Sequence, residues 1–435
     1  MHSVTSPPAA RRTIGFWTAV SLVMGNMIAS GVFLLPASLA PFGGISFAGW
    51  LVSAGGSVLL ALVFARLAGF NPAAGGPYAY TRQAFGDLPG FLVAWGYWIS
   101  IWCANAAIAV AFVGYLDPFF PALVRSPAGA ASLAVGAVWL LTAVNVIGVT
   151  TAGRVQVVTT AIKIIPLVVI GVAGLLAFEP SHFVVTDTSA RGLASGITST
   201  ATLTLWAFLG VECATIPAGE VRNPERTIPR ATIVGTLAAA VIYIVSTAGV
   251  MALVSPVALA QSTAPFADAA RALGGDTAAR LTALGAAIAC FGGLNGWILI
   301  VGQLPRAVAA DGLFPRAFGA VSSRGTPARG MIISAILTTA LIAMNYAQGL
   351  VSLFTFIILL STLSVLVPYV FCSLAGFMLQ RQDSRMRMSA GASVVAALAF
   401  AYALWAIGGA GAEVVYWGFL LLLAGLPVYA WVARS

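Results

Sequence analysis

Apolar runs of 17 to 29 residues, separated by short clusters of Gly, Pro and Arg, recur along the whole chain. One membrane-crossing helix needs about 20 such residues. The pattern predicts twelve spans, at 14–38, 43–68, 88–115, 129–149, 155–177, 196–218, 230–254, 278–303, 330–346, 351–379, 389–409 and 413–432. Barrel strands are shorter and alternate strictly, so the expected fold class is an all-α polytopic membrane protein. The longest stretches between runs reach only about 25 residues, too few for a soluble domain.

Composition agrees. The 435 residues are 60% hydrophobic and 8% charged, with mean hydropathy +0.99, whereas soluble domains carry about 25% charged residues. The net charge of +9 comes from 21 basic and 12 acidic side chains. The basic ones are scattered in short loops, which argues against a nucleic-acid partner. With a cytoplasmic N-terminus, sixteen arginines fall on the inner side and four (Arg125, Arg191, Arg271, Arg280) on the outer. That bias puts both termini in the cytoplasm. Arg11 and Arg12 then belong to a cytoplasmic tail at 1–13 rather than to a cleaved signal, since no cleavage site follows. Cys103, Cys213, Cys290 and Cys372 lie inside apolar runs without metal-ligand spacing, as free thiols would. No cofactor or metal is expected.

Two ionisable residues fall within spans. Lys163, the only lysine, is in the fifth, and Glu212 is in the sixth. Such groups are expensive at membrane depth and face a cavity or a partner; the plain alternatives are snorkelling and a structural hydrogen bond. Two spans also carry helix-breaking patterns. The first has Gly25-Asn26-Met27-Ile28-Ala29-Ser30-Gly31, and the sixth has Gly210 and Glu212 after Trp206. An unwound stretch frees main-chain groups, which are tolerable in a membrane only when protein, water or ligand satisfies them. The N-terminus of the half-helix after a break suits a carboxylate, and the carbonyls before it suit an ammonium. Breaks five spans apart suggest two inverted repeats with the site between them. Glycine used only for helix packing is the competing reading.

The segments GNMIASGVFLLPASLAPFGGI (25–45), GGPYAYTRQAFG (75–86), YWISIWCANAAIA (97–109), TLWAFLGVECATIPAGEVRNPERTIPRATI (204–233), STAPFADAAR (262–271), GGLNGWILIVGQLPRAVAADGLFP (292–315) and LVPYVFC (366–372) together carry a resemblance. The chain resembles the amino acid–polyamine–organocation superfamily, within it the basic amino acid/polyamine antiporters, and most closely the arginine/agmatine exchangers. The resemblance implies a ten-helix inverted-repeat transport core at 14–379, two further helices with the C-terminus at 380–435, and alternating access in the cell inner membrane. A second copy of the chain is an implied partner, beside the substrate and the bilayer.

Carried over by position, Asn26, Met27, Ala29, Ser30 and Gly31 would form the first-span loop. The Ser30 and Gly31 amides would hold the substrate carboxylate, and the carbonyls of Met27, Trp206 and Leu209 its ammonium. Ser100, Ile101 and Asn105 would line the wall at the far end of the side chain, with Trp297 stacked on a guanidinium and Ser361 nearby. A desolvated cation on an aromatic face gains about 2 kcal/mol. Asn105 is equally compatible with an ordinary interhelical hydrogen bond. Tyr97, Glu212 and Tyr369 resemble the cytoplasmic-side gate, with Tyr78 further along. Glu212 would sense pH or balance substrate charge there.

Departures from the exchanger pattern are informative. Ala29 stands where the family often has glycine, Phe91 replaces a tyrosine near the gate, and Ile101 and Gly293 replace small polar or thiol residues of the guanidinium pocket. Lys163 is absent from the exchangers and present in proton-coupled or sodium-independent relatives, where its ammonium is proposed to replace a sodium ion. It would be a fixed charge or a proton carrier. The implied activity is sodium-independent exchange of a basic amino acid for its decarboxylated amine, arginine for agmatine. The alternative is proton-coupled transport of neutral or broad-range amino acids. An enzyme is not expected, because no catalytic cluster is present and His2 and His182 fall in tail and loop. A channel would need a charge ring or filter repeat, which two lone ionisable residues do not supply.

Overall fold

A computed structural model describes residues 12–29, 31–185, 188–262, 264–348, 351–409 and 411–434. The expected tail lies outside these residues up to position 11, as does Ser30.

Ten helices are long and apolar enough to cross a membrane, and no strands occur among the described residues. They are Ile45–Phe70, Asp87–Gly114, Pro127–Ile147, Val149–Leu176, Ala190–Thr215, Pro224–Leu253, Pro265–Ala310, Ala328–Tyr346, Ala390–Gly409 and Ala412–Val432. Val351–Leu379 is a further apolar helix. The first expected span is a broken pair, Phe16–Met27 and Gly31–Leu39. Each expected run thus overlaps helix, most with edges moved by a few residues, while the sixth is α-helical only to Leu205 and the twelfth is divided into Ala412–Leu423 and Leu426–Val432. Proline starts several of these helices, where its missing N–H costs nothing, and Ser126 caps one by accepting from the Gly129 N–H. Pro265–Ala310 is two helices joined at Gly275, whose φ of +68° only glycine adopts readily. The expected eighth span is the second of them.

Small residues set the spacing. A methyl on Gly174 would lie 2.2 Å from the Gly249 carbonyl oxygen, so the fifth and seventh spans touch main chain to main chain. The exposed large side chains (Val158, Ile165, Val169 and Leu176 on the fifth span among them) form an apolar belt suited to lipid.

The two breaks are where expected, and they differ in kind. In the first span the helical ladder ends at Ile28 (ψ 75°) and resumes at Gly31. In the sixth the α-helix ends at Leu205, Gly210 takes φ +109°, and the chain continues as 3₁₀ turns at Trp206–Phe208, Cys213–Thr215 and Ala218–Glu220. The half-helix expected after this break is therefore replaced by short turns, since Pro217 removes a donor. Their polar groups are met locally: the Cys213 N–H donates to Gly210 O (3.0 Å) and the Thr215 N–H to Glu212 O (2.8 Å). Ile14 pairs with Glu220 and Arg222, and Arg306 approaches Glu220 at 3.6 Å, so the chain's N-terminal end marks one end of the bundle.

Candidate functional site between the broken spans

The breaks meet in the middle of the bundle around a small cavity. Asn26, Met27, Ala29, Gly31, Ser100, Ile101, Trp206, Leu209, Trp297 and Ser361 all line it, joined by Ala104, Ile108 and Val365. About 30 Å³ of it is open to the centre of a water, room for a water or two rather than an amino acid. The conformation is therefore a closed one. Asn105 does not line the cavity; it is buried one turn further along, with Oδ1 unpartnered among the described residues.

The lining is held by the chain's own bonds. Ser361 Oγ donates to Ser100 O (2.9 Å), and Ser100 Oγ to Tyr97 O (2.8 Å). Trp297 Nε1 donates to Asn26 O (3.3 Å), presenting the indole to the cavity. The half-buried Trp206 packs on Gly31, where a methyl would lie 2.5 Å from its ring. Of the carbonyls expected to receive an ammonium, Met27 O accepts from the Ala29 N–H (2.9 Å) and Trp206 O from the Leu209 N–H (3.3 Å). The Asn26 amide is buried with both polar atoms unpartnered among the described residues. A buried amide left so is costly, and a ligand would satisfy it. Gly293 gives way to Ala29: a methyl there would sit 2.8 Å from the Ala29 methyl, so the two departures from the exchanger pattern compensate.

Lys163 is fully buried. Its Nζ donates to the carbonyls of Gly25 (2.6 Å) and Ile28 (2.5 Å), where the first half-helix ends. The negative end of that helix dipole favours a cation, and no carboxylate pairs with Lys163 among the described residues. Beside it runs a polar seam that the sequence reading did not identify. Gln156 Nε2 donates to Ser21 O (3.2 Å), Asn295 Nδ2 to Ala152 O (3.0 Å) and Gln156 Oε1 (3.2 Å), and Asn145 Nδ2 to Asn295 Oδ1 (3.1 Å). Isolated Asn and Gln residues within spans were its signal.

Toward the N-terminal end, Glu212 is fully buried and accepts from two phenols, Tyr97 at Oε1 and Tyr369 at Oε2. The Gly210 N–H donates to Tyr369 Oη (3.3 Å), tying the break to the tenth span. Tyr78 stands apart from this trio. Its hydroxyl donates to Asp311 Oδ2 (2.8 Å), which also pairs with Arg82 (2.8 Å), itself paired with Asp87 (2.7 Å). Burial and the Asp311 carboxylate push the Tyr78 phenol well above its ordinary range, so it remains a donor. This second closure brings in Asp311 and Arg82, neither of which the sequence pattern singles out. Phe91 packs with Trp95, Phe314 and Tyr429 at 5.1–6.1 Å between ring centres. The four cysteines are free and buried, and no group of three or more His, Cys, Asp or Glu could hold a metal among the described residues.

The broken pair, the inner cavity and the double closure are the anatomy of a carrier. A profile described as "Amino acid permease" matches residues 14–425. The chain belongs to the amino acid permease family. It falls within the basic amino acid/polyamine antiporters of the amino acid–polyamine–organocation superfamily. The permease is 38% identical to the cadaverine/lysine antiporter of Escherichia coli strain K12 over 371 residues, 83% of this chain and 82% of that one. It is 33% identical to the putrescine transporter PotE of Haemophilus influenzae over 433 residues, 98% of each, and 33% identical to PotE of Escherichia coli K12 over 417 residues, 95% and 94%. It is a multi-pass membrane transporter and not an enzyme.

Proposed function

We propose that this permease exchanges a basic amino acid for its decarboxylated amine by alternating access, without sodium. The observation that carries the reading is the cavity where the two breaks meet, with Trp206 and Trp297 in its wall, and the buried Glu212 three residues beyond the lining Leu209. Indole faces suit a desolvated cation, and Asn26 and Gly31 suit the polar head. The relatives act on lysine with cadaverine and on putrescine by name, and Ile101 makes the wall less polar than a guanidinium pocket. Lysine and cadaverine are therefore the first pair to test; arginine and agmatine, favoured by Trp297, are the second. Sodium independence follows from Lys163, whose ammonium fills the carbonyl cluster at the first break.

In this reading the chain forms twelve spans in the inner membrane, the first ten as a five-plus-five inverted repeat. Both termini are cytoplasmic, which makes the Glu212 and Asp311 closures the inner gates. Breaks in spans one and six and the arginine bias support it.

The test is uptake of labelled lysine into proteoliposomes preloaded with cadaverine, repeated with arginine and agmatine, and with choline replacing sodium. Uptake that requires internal amine and ignores sodium supports exchange. Equal uptake into empty vesicles, driven by a pH gradient, would replace it with the proton-coupled reading that Lys163 also fits.

A further inference from the structure

Away from the transport cavity, a groove of about 220 Å³ lies between the second, tenth and eleventh spans. Its walls are apolar, with Leu62, Val63, Leu67, Gly376, Val395 and Ala396 among them. It faces the bilayer side of the bundle, for Leu62, Val394 and Leu398 are 37%, 57% and 51% exposed.

Arg66 stands in this apolar wall. Its Nη2 donates to the carbonyl of Arg387 (2.8 Å) and reaches that of Met386 (3.5 Å). Its Nε is buried and has no acceptor, and its charge has no carboxylate among the described residues. A buried charged N–H without an acceptor is costly, which points to a missing anion. The turn above it repeats the charge. Arg381 and Arg387 are exposed and unpaired among the described residues, and the one nearby acid, Asp383, is committed to Arg385 at 2.6 Å. Arg66 lies four residues before the end of its helix at Phe70, about 6 Å along the axis, the depth of lipid headgroups.

We propose that the groove holds one anionic phospholipid, its phosphodiester on the groove-facing side of the Arg66 guanidinium and an acyl chain along Leu62, Val63 and Ala396. The guanidinium fork matches phosphate geometry, and basic pockets between membrane helices take anionic headgroups. The apolar length of the groove distinguishes a lipid from free phosphate. The bound lipid bears on the tenth span at Gly376 and at Ser373, the latter one turn from Tyr369. Its occupancy therefore touches the helix that supplies one of the two phenols on Glu212.

The experiment counts lipids rather than transport, so it stands apart from the exchange reading. Purified full-length protein is equilibrated in mixed phosphatidylglycerol and phosphatidylcholine micelles and examined by native mass spectrometry. One retained phosphatidylglycerol is expected, reduced at least about fivefold by Arg66→Gln and by Ala396→Phe, which fills the groove without changing charge. Arg385→Gln, outside the groove, is expected to retain it. Should Arg66→Gln not fold, Ala396→Phe carries the test, and retention equal to wild type would overturn the proposal. Equal loss in Arg385→Gln, or displacement by millimolar inorganic phosphate, would also overturn it in favour of a loose lipid shell or a free anion.

Discussion

Lys163 Nζ lies 2.6 Å from the carbonyl oxygen of Gly25, so the chain's one lysine closes the end of the first half-helix from a different span. The same ammonium holds Ile28 O. Replacing it with alanine leaves two buried carbonyls unpartnered, at roughly 1–3 kcal/mol each. Exchange by Lys163→Ala in proteoliposomes is expected to fall at least tenfold, about 1.4 kcal/mol or more. Wild type should be indifferent to replacing sodium with choline. A sodium-dependent wild type would show that the ammonium does not occupy a cation's place.

Glu212 joins the sixth span to the third and tenth through Tyr97 and Tyr369. An amide at that position has one acceptor oxygen for two phenols. Glu212→Gln is expected to lower exchange more than tenfold, and Tyr97→Phe or Tyr369→Phe less. Double-mutant cycles between Glu212 and either tyrosine should give coupling of about 0.5–3 kcal/mol. Additive rates would mean that the three side chains do not act as one closure.

Tyr78→Phe deletes the phenol on Asp311 but leaves the partly exposed Arg82 pair, which contributes little. Loss of one such bond costs about 1 kcal/mol, a shift of about fivefold toward opening at this end. Cys372 is a native reporter, since its thiol donates to Pro77 O at 3.7 Å beneath the Tyr78 helix. Peptide mapping after N-ethylmaleimide treatment should show faster labelling of Cys372 in Tyr78→Phe. An unchanged rate would separate Tyr78 from gating.

Gly296 and Gly136 give opposite expectations for the same change. A methyl on Gly296 would lie 1.8 Å from Asn26 Oδ1, whereas one on Gly136 meets nothing within 4 Å. Overpacking costs about 1–3 kcal/mol, so Gly296→Ala should lower the thermal midpoint by several degrees and weaken substrate binding. Gly136→Ala should hold or slightly raise the midpoint, because alanine favours helix. Equal midpoints for both would mean that Asn26 is not clamped against the eighth span.

The apolar periods and the two glycine-flanked interruptions determined the helical class, the run positions and the existence of the breaks, because main chain in a membrane must satisfy itself within a helix. The same residues singled out most of the cavity wall, from Asn26 to Trp297. What a span's own sequence cannot express is which distant side chain meets its freed groups. Only the tertiary structure set Lys163 on Gly25, paired Tyr78 with Asp311 rather than with Glu212, left Asn105 outside the cavity, and ran the chain after Gly210 as 3₁₀ turns. Each of those outcomes depends on how closely neighbouring helices approach, which small residues on both partners decide together.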